Sequence, residues 1–508
     1  MNSFMNQVKG TLDGEGEHNM AYTENMALGY RTTSRSLLDA NFRIPQYRRS
    51  SEDTIVNDII KAFAEDRELT LKWLFFARDV REGLGERRLF RVIMKHFAIH
   101  QPKEIQHLIQ YTAEYGRWDD LVPLLDTPLS GMVVNIIREQ LAADQVNMRN
   151  GDSISLMAKW LPSINSASKE TRRLGTMLAK ELSMTEKSYR KMLSSLRGYL
   201  DVIERKMSRK EWGSIDYSKV PSKANLLYNK AFWRNDKERR EAFIESLVKG
   251  EATINSSVAF PHDIIHKYMS GNRYGQVVVD LDHVLEEMWK ALPNTVEPGQ
   301  STIVVADGSG SMTDTVGGTN VMALTVANAL AIYFSERLSG DFKDRYITFS
   351  SNPKFVDFSG CATLREKLMF ALQHNEISNT NLEKVFGLIL ETAIRNRLHQ
   401  EDLPANILVI SDMEFDCPSA CQDRSKRLFK VIEERFSEAG YKIPKLIFWN
   451  VNSRSGAIPV KENELGVALV SGFSVNIAKM VTSGKLDPFE CLLETLMSER
   501  YECIKAAS

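Results

Sequence analysis

With 508 residues, 43% of them apolar and 26% charged, and a net charge of −1, the chain is long enough for two or three cores and has the make-up of a globular protein, which excludes a disordered or fibrous one. No apolar run reaches the ~18 residues that mark a bilayer span, and the opening MNSFMNQVKGTLDGEGEHNM lacks the apolar stretch of a signal peptide, so a cytoplasmic protein without membrane contact is expected. The near-zero charge hides an asymmetry: residues 152–240 hold 20 Lys and Arg against 10 Asp and Glu, inside a chain that is otherwise acidic, as a face for a polyanion would.

In chain order, residues 1–50 are polar with little periodicity and read as an extended or partly ordered arm. From about residue 53 apolar residues recur at i, i+3, i+4 and i+7 in IVNDIIKAFAED, LTLKWLFFARDV, RRLFRVIMKHFAI and EIQHLIQYTAEY, separated by short breaks such as REGLGE and YGRWDD, which predicts antiparallel helices. The same texture runs through VVNIIREQLAAD, SKETRRLGTMLAKELSM, YRKMLSSLRGYLDVIERKM and RREAFIESLVKG without a clean period, so a degenerate helical-repeat stack is expected. Pro162 and the polar run after it stop one helix, and Ser168 can cap the next. Lys169, Arg172, Arg173 and Lys180 then sit near that helix's start, where cations oppose the macrodipole.

After EPGQ at 297–300 the texture changes. STIVVAD, DRYITFSS, ANILVISD, PKLIFWNVN and GVALVSG read as strands, alternating with the helical stretches NVMALTVANALAIYFSERL, NLEKVFGLILETAIRN, RSKRLFKVIEERFSEAG and PFECLLETLMSERY. This is the pattern of a doubly wound, Rossmann-like α/β domain with a mainly parallel sheet covered on both faces. In such sheets ligands bind beyond the carboxyl ends of the strands, where the strand order reverses.

Asp307 ends the first of these strands, in VVADGSGSMTD, and Asp412 ends ANILVIS. In the turn DGSGS, Asp307, Ser309 and Ser311 can direct their oxygens to one point, with Gly308 and Gly310 permitting the backbone between them. Thr380, on the loop HNEISNTNLEK, and Asp412 complete an all-oxygen set suited to a hard cation, Mg²⁺ above all. A phosphate loop needs a Lys after the glycines and a dinucleotide site a third glycine; neither is present.

Other chemistry is weak. The five cysteines are Cys361, Cys417, Cys421, Cys491 and Cys503; they follow no disulfide spacing, and the lone CxxxC lacks further zinc ligands. His262 and His266 stand at i, i+4 without the Glu of HExxH. No nucleophile, base and orienting acid stand out, and an enzyme is not expected.

The DGSGS turn resembles the metal-ion-dependent adhesion site of von Willebrand factor A domains, with Asp307, Ser309 and Ser311 matching DxSxS, Thr380 its second-loop Thr, and Asp412 its third-loop Asp. The helical half resembles the TROVE module of Ro ribonucleoproteins in TENMALGYRTTSRSLLD, LFFARDVREGLGERRLF, YGRWDDL, KWLPS, YRKMLSSLRGYLDVIE and VPSKANLLYNKAF. The whole chain is similar to a bacterial, plant and phage family that pairs the two. This implies a flexible arm over 1–22, a HEAT-like TROVE module over 23–296 and an A domain over 300–508.

Two functions are open on this reading. In one, the helical module binds small or misfolded RNA, with Lys159, Lys169, Arg172, Arg173, Lys180 and the more distant Arg117 on phosphates. Unpaired bases would then stack on one or two of Trp160, Tyr189, Tyr199, Trp212, Tyr217, Tyr228 and Trp233. The A domain would dock an acidic protein ligand through Mg²⁺, and the chain would be a monomer. In the other, the chain is a protein-interaction scaffold that uses the metal site without nucleic acid.

Overall fold

The architecture was taken from a computed structural model, which describes residues 19–24, 28–269, 279–296, 299, 301–349, 353–375, 382–414, 428–458, 467–472, 474 and 487–507. A helical part precedes a part built on a six-stranded sheet. Among the described residues, no helix is long and apolar enough to cross a membrane.

A short antiparallel hairpin, β1 (Met20–Tyr22) and β2 (Leu28–Tyr30), opens the described chain. The large sheet contains β3 (Thr302–Asp307), β4 (Arg345–Phe349), β5 (Lys354–Asp357), β6 (Asn406–Ser411), β7 (Lys445–Asn450) and β8 (Val467–Ser471) in the order β5-β4-β3-β6-β7-β8. Every pair is parallel except β4 with β5. The β-branched run TIVVAD is buried at nearly every position and KLIFWN at all, so both faces of the sheet's centre are covered. The Ala323–Arg337 helix is buried from Ala323 through Ser335, which its Ala- and Leu-rich sequence allows at close range to the sheet. Because β4 lies on one side of β3 and β6 on the other, the strand order reverses at β3 and opens a crevice at its carboxyl end.

The chain forms two compact units that interleave along the sequence: Met1–Thr54, Asp58–Glu65 and Ala259–Ser498 in the sheet unit, and Ile55–Asn57, Asp66–Val258 and Glu499–Ser508 in the helical unit. This departs from boundaries at 22, 296 and 300. The Ser36–Phe42 helix, read from sequence as part of an arm, is buried from Leu37 to Phe42. Asn450 donates to Phe42 O at 2.8 Å and Ser471 Oγ to Asn41 O, which ties that helix to β7 and β8. The segment before the sheet is held likewise. Glu286 accepts from Leu364 N at 2.7 Å and Arg365 N at 3.1 Å, so a carboxylate caps the Leu364–His374 helix. That helix and β5 were absent from the sequence reading.

Within the helical unit, the seven longest helices include Arg67–Arg78, Arg87–His100, Ser130–Asn150, Glu186–Tyr199 and Ser222–Asn235. EIQHLIQYTAEY, expected as one helix, is broken into Pro102–Ile105, Ile109–Tyr111 and Thr112–Tyr115. Its side chains turn toward the closing residues: His107 Nε2 meets Lys505 O at 2.8 Å, and Tyr115 donates to Arg500 O at 2.5 Å. Tertiary contacts override the helical period here.

YGRWDDL forms a buried ion network. Arg78 donates to Asp120 Oδ2 at 2.8 Å and Arg91 to Asp120 Oδ1 at 2.6 Å, with Asp120 1% exposed. A Cβ on Gly116 would stand 2.8 Å from Arg78 Nε, so the backbone has to pass there without a side chain. Asp120→Ala strands the Arg78 charge in the interior, and a loss of about 3–5 kcal/mol in unfolding free energy is expected. Urea titration checks this; a loss under about 1 kcal/mol would mean the network behaves as a surface pair.

Candidate functional site

Asp307 and Asp412 stand at the carboxyl ends of neighbouring parallel strands, where the reversal of strand order leaves a crevice. Asp307 Oδ1 accepts from Ser309 N at 2.9 Å, which closes the DGS turn, and its Oδ2 accepts from Ser411 Oγ at 2.7 Å across the strands. The Ser309 and Ser311 hydroxyls lie 3.0 Å apart, and the Ser311 side chain favours the charged form of Asp412. Asp307, Ser309, Ser311 and Asp412 are therefore brought together as their spacing suggested. Thr380 lies outside the described residues, as do Cys417 and Cys421. Gly308 packs closely on Asn375: a Cβ there would approach Asn375 Oδ1 to 2.7 Å and would have to displace that side chain.

Three residues that sequence reasoning passed over shape the same crevice. Ser411 holds Asp307 as described. Glu414 is fully buried and accepts from Glu24 N, Arg454 N and Ser455 N, each at 2.8 Å, which fastens the first hairpin and the loop after β7 beside Asp412. Arg454 reaches Asp314 at 2.6 Å, Glu24 at 2.8 Å and Asp412 at 3.3 Å. Between the two acids, Met413 takes φ +65 in a buried position, a left-handed conformation that costs a non-glycine residue roughly 1–2 kcal/mol. The turn so formed sends Asp412 to the DGSGS side and Glu414 to the loop at 453–455. SDMEF carries a signal for Glu414, a second acid two residues on; nothing near Arg454 links it to the site.

Burial, and secondly the facing Asp412, push the Asp307 carboxyl up to about 7. Burial pushes Asp412 up to about 6, opposed by Ser311, the Glu414 amide and Arg454. Two buried carboxylates and two hydroxyls form a set of hard oxygen donors whose charge is under-compensated, the chemistry that suits a divalent cation such as Mg²⁺.

The cations singled out in the helical unit differ in how far the chain itself meets their charge. Arg117 forks onto Asp119 at 2.8 and 2.5 Å and lies 3.8 Å over the Trp160 ring. Arg173 meets Asp126 and Glu170, both at close range, and Lys159 stands 3.6 Å from Glu204. Arg172 donates to Ser166 O at 2.8 Å, folding back on its own helix start. Lys169 and Lys180 are exposed. Of the aromatics named above, Tyr189 and Tyr217 are core, and Tyr199 is exposed at 39%.

A different set of cations lines a groove of about 690 Å³ beside the Glu186–Tyr199 helix: Lys187, Arg190, Lys191, Arg197 and Arg205. Its described lining contains no carboxylate. Arg197 donates to Ala158 O at 2.7 Å, Leu161 O at 2.9 Å and Ser163 Oγ at 2.8 Å, and Tyr189 to Pro162 O at 3.0 Å, which clamps the KWLPS loop to this helix and sets Ser163, Ile164 and Asn165 on the groove. Lys187, Arg190 and Lys191 share one helix face at i, i+3 and i+4 and are exposed.

A family described as a domain of unknown function (DUF2828) matches residues 23–136 and 127–299, and a second (DUF7788) matches residues 301–500. The protein L728 of Acanthamoeba polyphaga mimivirus is 30% identical over 522 residues, covering 94% of this chain and 87% of the viral one.

The chain belongs to the DUF2828 family. Its family segment does not coincide with one compact unit, since residues before 55 and after 258 lie with the sheet. Among solved structures, the Ro (RSR) protein of Deinococcus radiodurans is similar at a TM-score of 0.44 and 15% identity, over 82% of this DUF2828 chain and 91% of that one.

Raised carboxyl values have a defined effect on stability. Between the ordinary value of 3.8 and about 7 the folded chain holds protons at Asp307 that the unfolded chain has released, so stability without metal falls as pH rises through that window. Asp307→Asn removes this slope. In EDTA, the wild type is expected to lose more unfolding free energy than the variant from pH 5 to pH 8, by on the order of a few kcal/mol in urea titrations; parallel profiles would show that Asp307 titrates normally.

Proposed function

We propose that this chain is an RNA-binding, ribonucleoprotein-type protein whose helical unit, HEAT-like in the TROVE sense, holds RNA phosphates. The sheet unit, an A-type domain on this reading, docks an acidic protein ligand through Mg²⁺. The observation that carries the RNA reading is the acid-free groove along the Glu186–Tyr199 helix. Elsewhere in the cationic segment, arginines such as Arg173 face carboxylates of their own chain. Cations kept apart from carboxylates retain the charge needed to displace counterions from a nucleic-acid backbone. Lys187 also stands in the first turn of its helix, where the macrodipole opposes a cation and favours an anion beside it. Of the two stretches that resemble the Ro module here, YRKMLSSLRGYLDVIE supplies most of the lining, including Arg190, Lys191 and Arg197, and KWLPS supplies Ser163.

In the sheet unit, Asp307, Ser309, Ser311 and Asp412 would hold Mg²⁺, with Thr380 as the further expected ligand. The bound ion would supply a Lewis-acidic position for an incoming carboxylate. Hydroxyl ligands leave more positive charge on the ion than carboxylates would, which suits it to a negatively charged partner.

The RNA reading is tested by fluorescence anisotropy on the full chain with a structured and a single-stranded RNA. Reversing Lys187, Arg190 and Lys191 to Glu together is expected to weaken binding more than about tenfold and to flatten the dependence of log K on log salt by about 2. Unchanged affinity removes RNA from the groove. Absence of any RNA binding by the wild type leaves the protein-scaffold function.

For the metal, Mg²⁺ is expected to raise the melting temperature of the wild type, and Asp307→Ala to abolish that rise. Because both carboxylates must ionise to bind the ion, the rise should shrink as pH falls through about 7 and then about 6. A pH-independent rise, or one retained in the variant, places Mg²⁺ elsewhere.

A further inference from the structure

The groove along the Glu186–Tyr199 helix is not uniform. Lys187, Arg190 and Lys191 stand exposed toward the start of the helix, whereas Arg197 and Arg205, which also line the groove, are half-buried. At the helical rise, Arg197 lies about 15 Å along the axis from Lys187. Arg197 donates to three neutral oxygens, Ala158 O, Leu161 O and Ser163 Oγ. Arg205, from the Ile203–Ser208 helix, donates to Ser194 O. The acids nearest to it in sequence are engaged elsewhere, Asp201 with Lys206 at 2.6 Å and Glu204 with Lys159 at 3.6 Å. Among the described residues, no carboxylate of the groove lining faces either arginine. Burial, and after it the positive charge of Arg205, lower the Arg197 guanidinium from its usual range. A Cβ on Gly198 would stand 2.9 Å from Arg205 Nη1, so the bare backbone there lets that guanidinium lie against the helix.

Two guanidiniums held near one another without a counter-ion repel, and the hydration that Arg197 loses on burial is not replaced by any negative charge. This part of the groove therefore favours more negative charge than one link of a nucleic-acid chain brings. A phosphomonoester carries about −1.5 to −2 at pH 7 and three terminal oxygens; an internal phosphodiester carries a single charge and two such oxygens. Arginine forks take those oxygens in pairs. We infer that Arg197 and Arg205 together seat the terminal phosphate of an RNA strand, the rest of which passes along Lys191, Arg190 and Lys187. The inference rests on the RNA reading of this groove and adds that the end of the strand, and not only its chain, is recognised.

Fluorescence anisotropy of the full chain tests it, with one short, internally labelled single-stranded RNA in three forms: with a 5′-phosphate, with a 3′-phosphate, and with hydroxyls at both ends. One phosphorylated form is expected to bind more than about tenfold tighter than the hydroxyl form, and which one it is gives the direction of the strand. Arg205→Gln should remove that gain and leave the hydroxyl form nearly unaffected. Gly198→Ala should also remove it, by displacing the Arg205 side chain without changing a charge, and with a melting temperature unchanged or raised because Ala favours the helix. Equal affinity for the three forms overturns the inference and leaves RNA in the groove, as does a gain that survives in both folded variants. If no form binds, the RNA reading falls, and titration with a nucleoside monophosphate decides the seat itself. Saturable binding that Arg205→Gln abolishes supports a phosphate seat filled by a free nucleotide; no binding overturns it.

Discussion

Burying Asp307 and Asp412 at the ends of adjacent parallel strands sets two acids side by side where water cannot screen them, and most of the local structure answers that constraint. Ser411 and the Ser309 amide bond the first carboxylate; the Glu414 amide and Arg454 bond the second. Their carboxyls still sit above the usual range, so the hydrogen bonds do not make up for the lost hydration. The reversal of strand order at β3 is what brings the two strand ends together.

Glu414 extends that constraint outward. A carboxylate with no exposure has to be met by donors, and three of them are backbone amides from Glu24, Arg454 and Ser455. The acid thereby positions the hairpin and the loop after β7, from which Arg454 reaches Asp412. Close approach repeats at Gly29, where a Cβ would come within 2.9 Å of Ile458 O on the strand-like pairing of Tyr30 with Ile458. Residues 28–50 lie with the sheet unit through such backbone bonds: the Tyr30–Ile458 bridge, and the carbonyls of Asn41 and Phe42 that accept from Ser471 and Asn450.

The alternation of strands and helices after residue 300 was legible because β-branched runs such as TIVVAD and NILVIS are short, buried and bounded by turns. DxSxS was legible because its spacing is local, and Asp412 because it closes a strand. β5 was missed because KFVD is only four residues and not uniformly buried, which gives alternation little to register. The Ser36–Phe42 helix was missed for a different reason. SLLDANF buries Asp39 and Asn41 along with its apolar residues, and a polar residue that will be satisfied by distant partners looks like surface in sequence. Asp39, for instance, accepts from Thr33 N and Thr33 Oγ1, both at 2.7 Å. Ser411, Glu414 and Arg454 escaped for the same reason: their roles rest on contacts between residues far apart in the chain.

Net charge over a segment proved a poor guide to which cations face outward. A count over residues 152–240 weighs Arg173, held by two carboxylates, equally with Arg190, which stands exposed on a groove. Arginine forks bind carboxylates well, and in a helical stack they find them across neighbouring helices, as Arg173 does with Asp126. Local spacing does not separate the two cases, because Glu186 stands four residues before Arg190 much as Glu170 stands three before Arg173. What differs is the contact made: Glu170 and Asp126 fold onto Arg173, whereas Glu186 accepts from Thr176 Oγ1 at 3.0 Å. Whether a cation faces a polyanion is therefore decided by its near carboxylates, and only then by the sign of the segment that carries it.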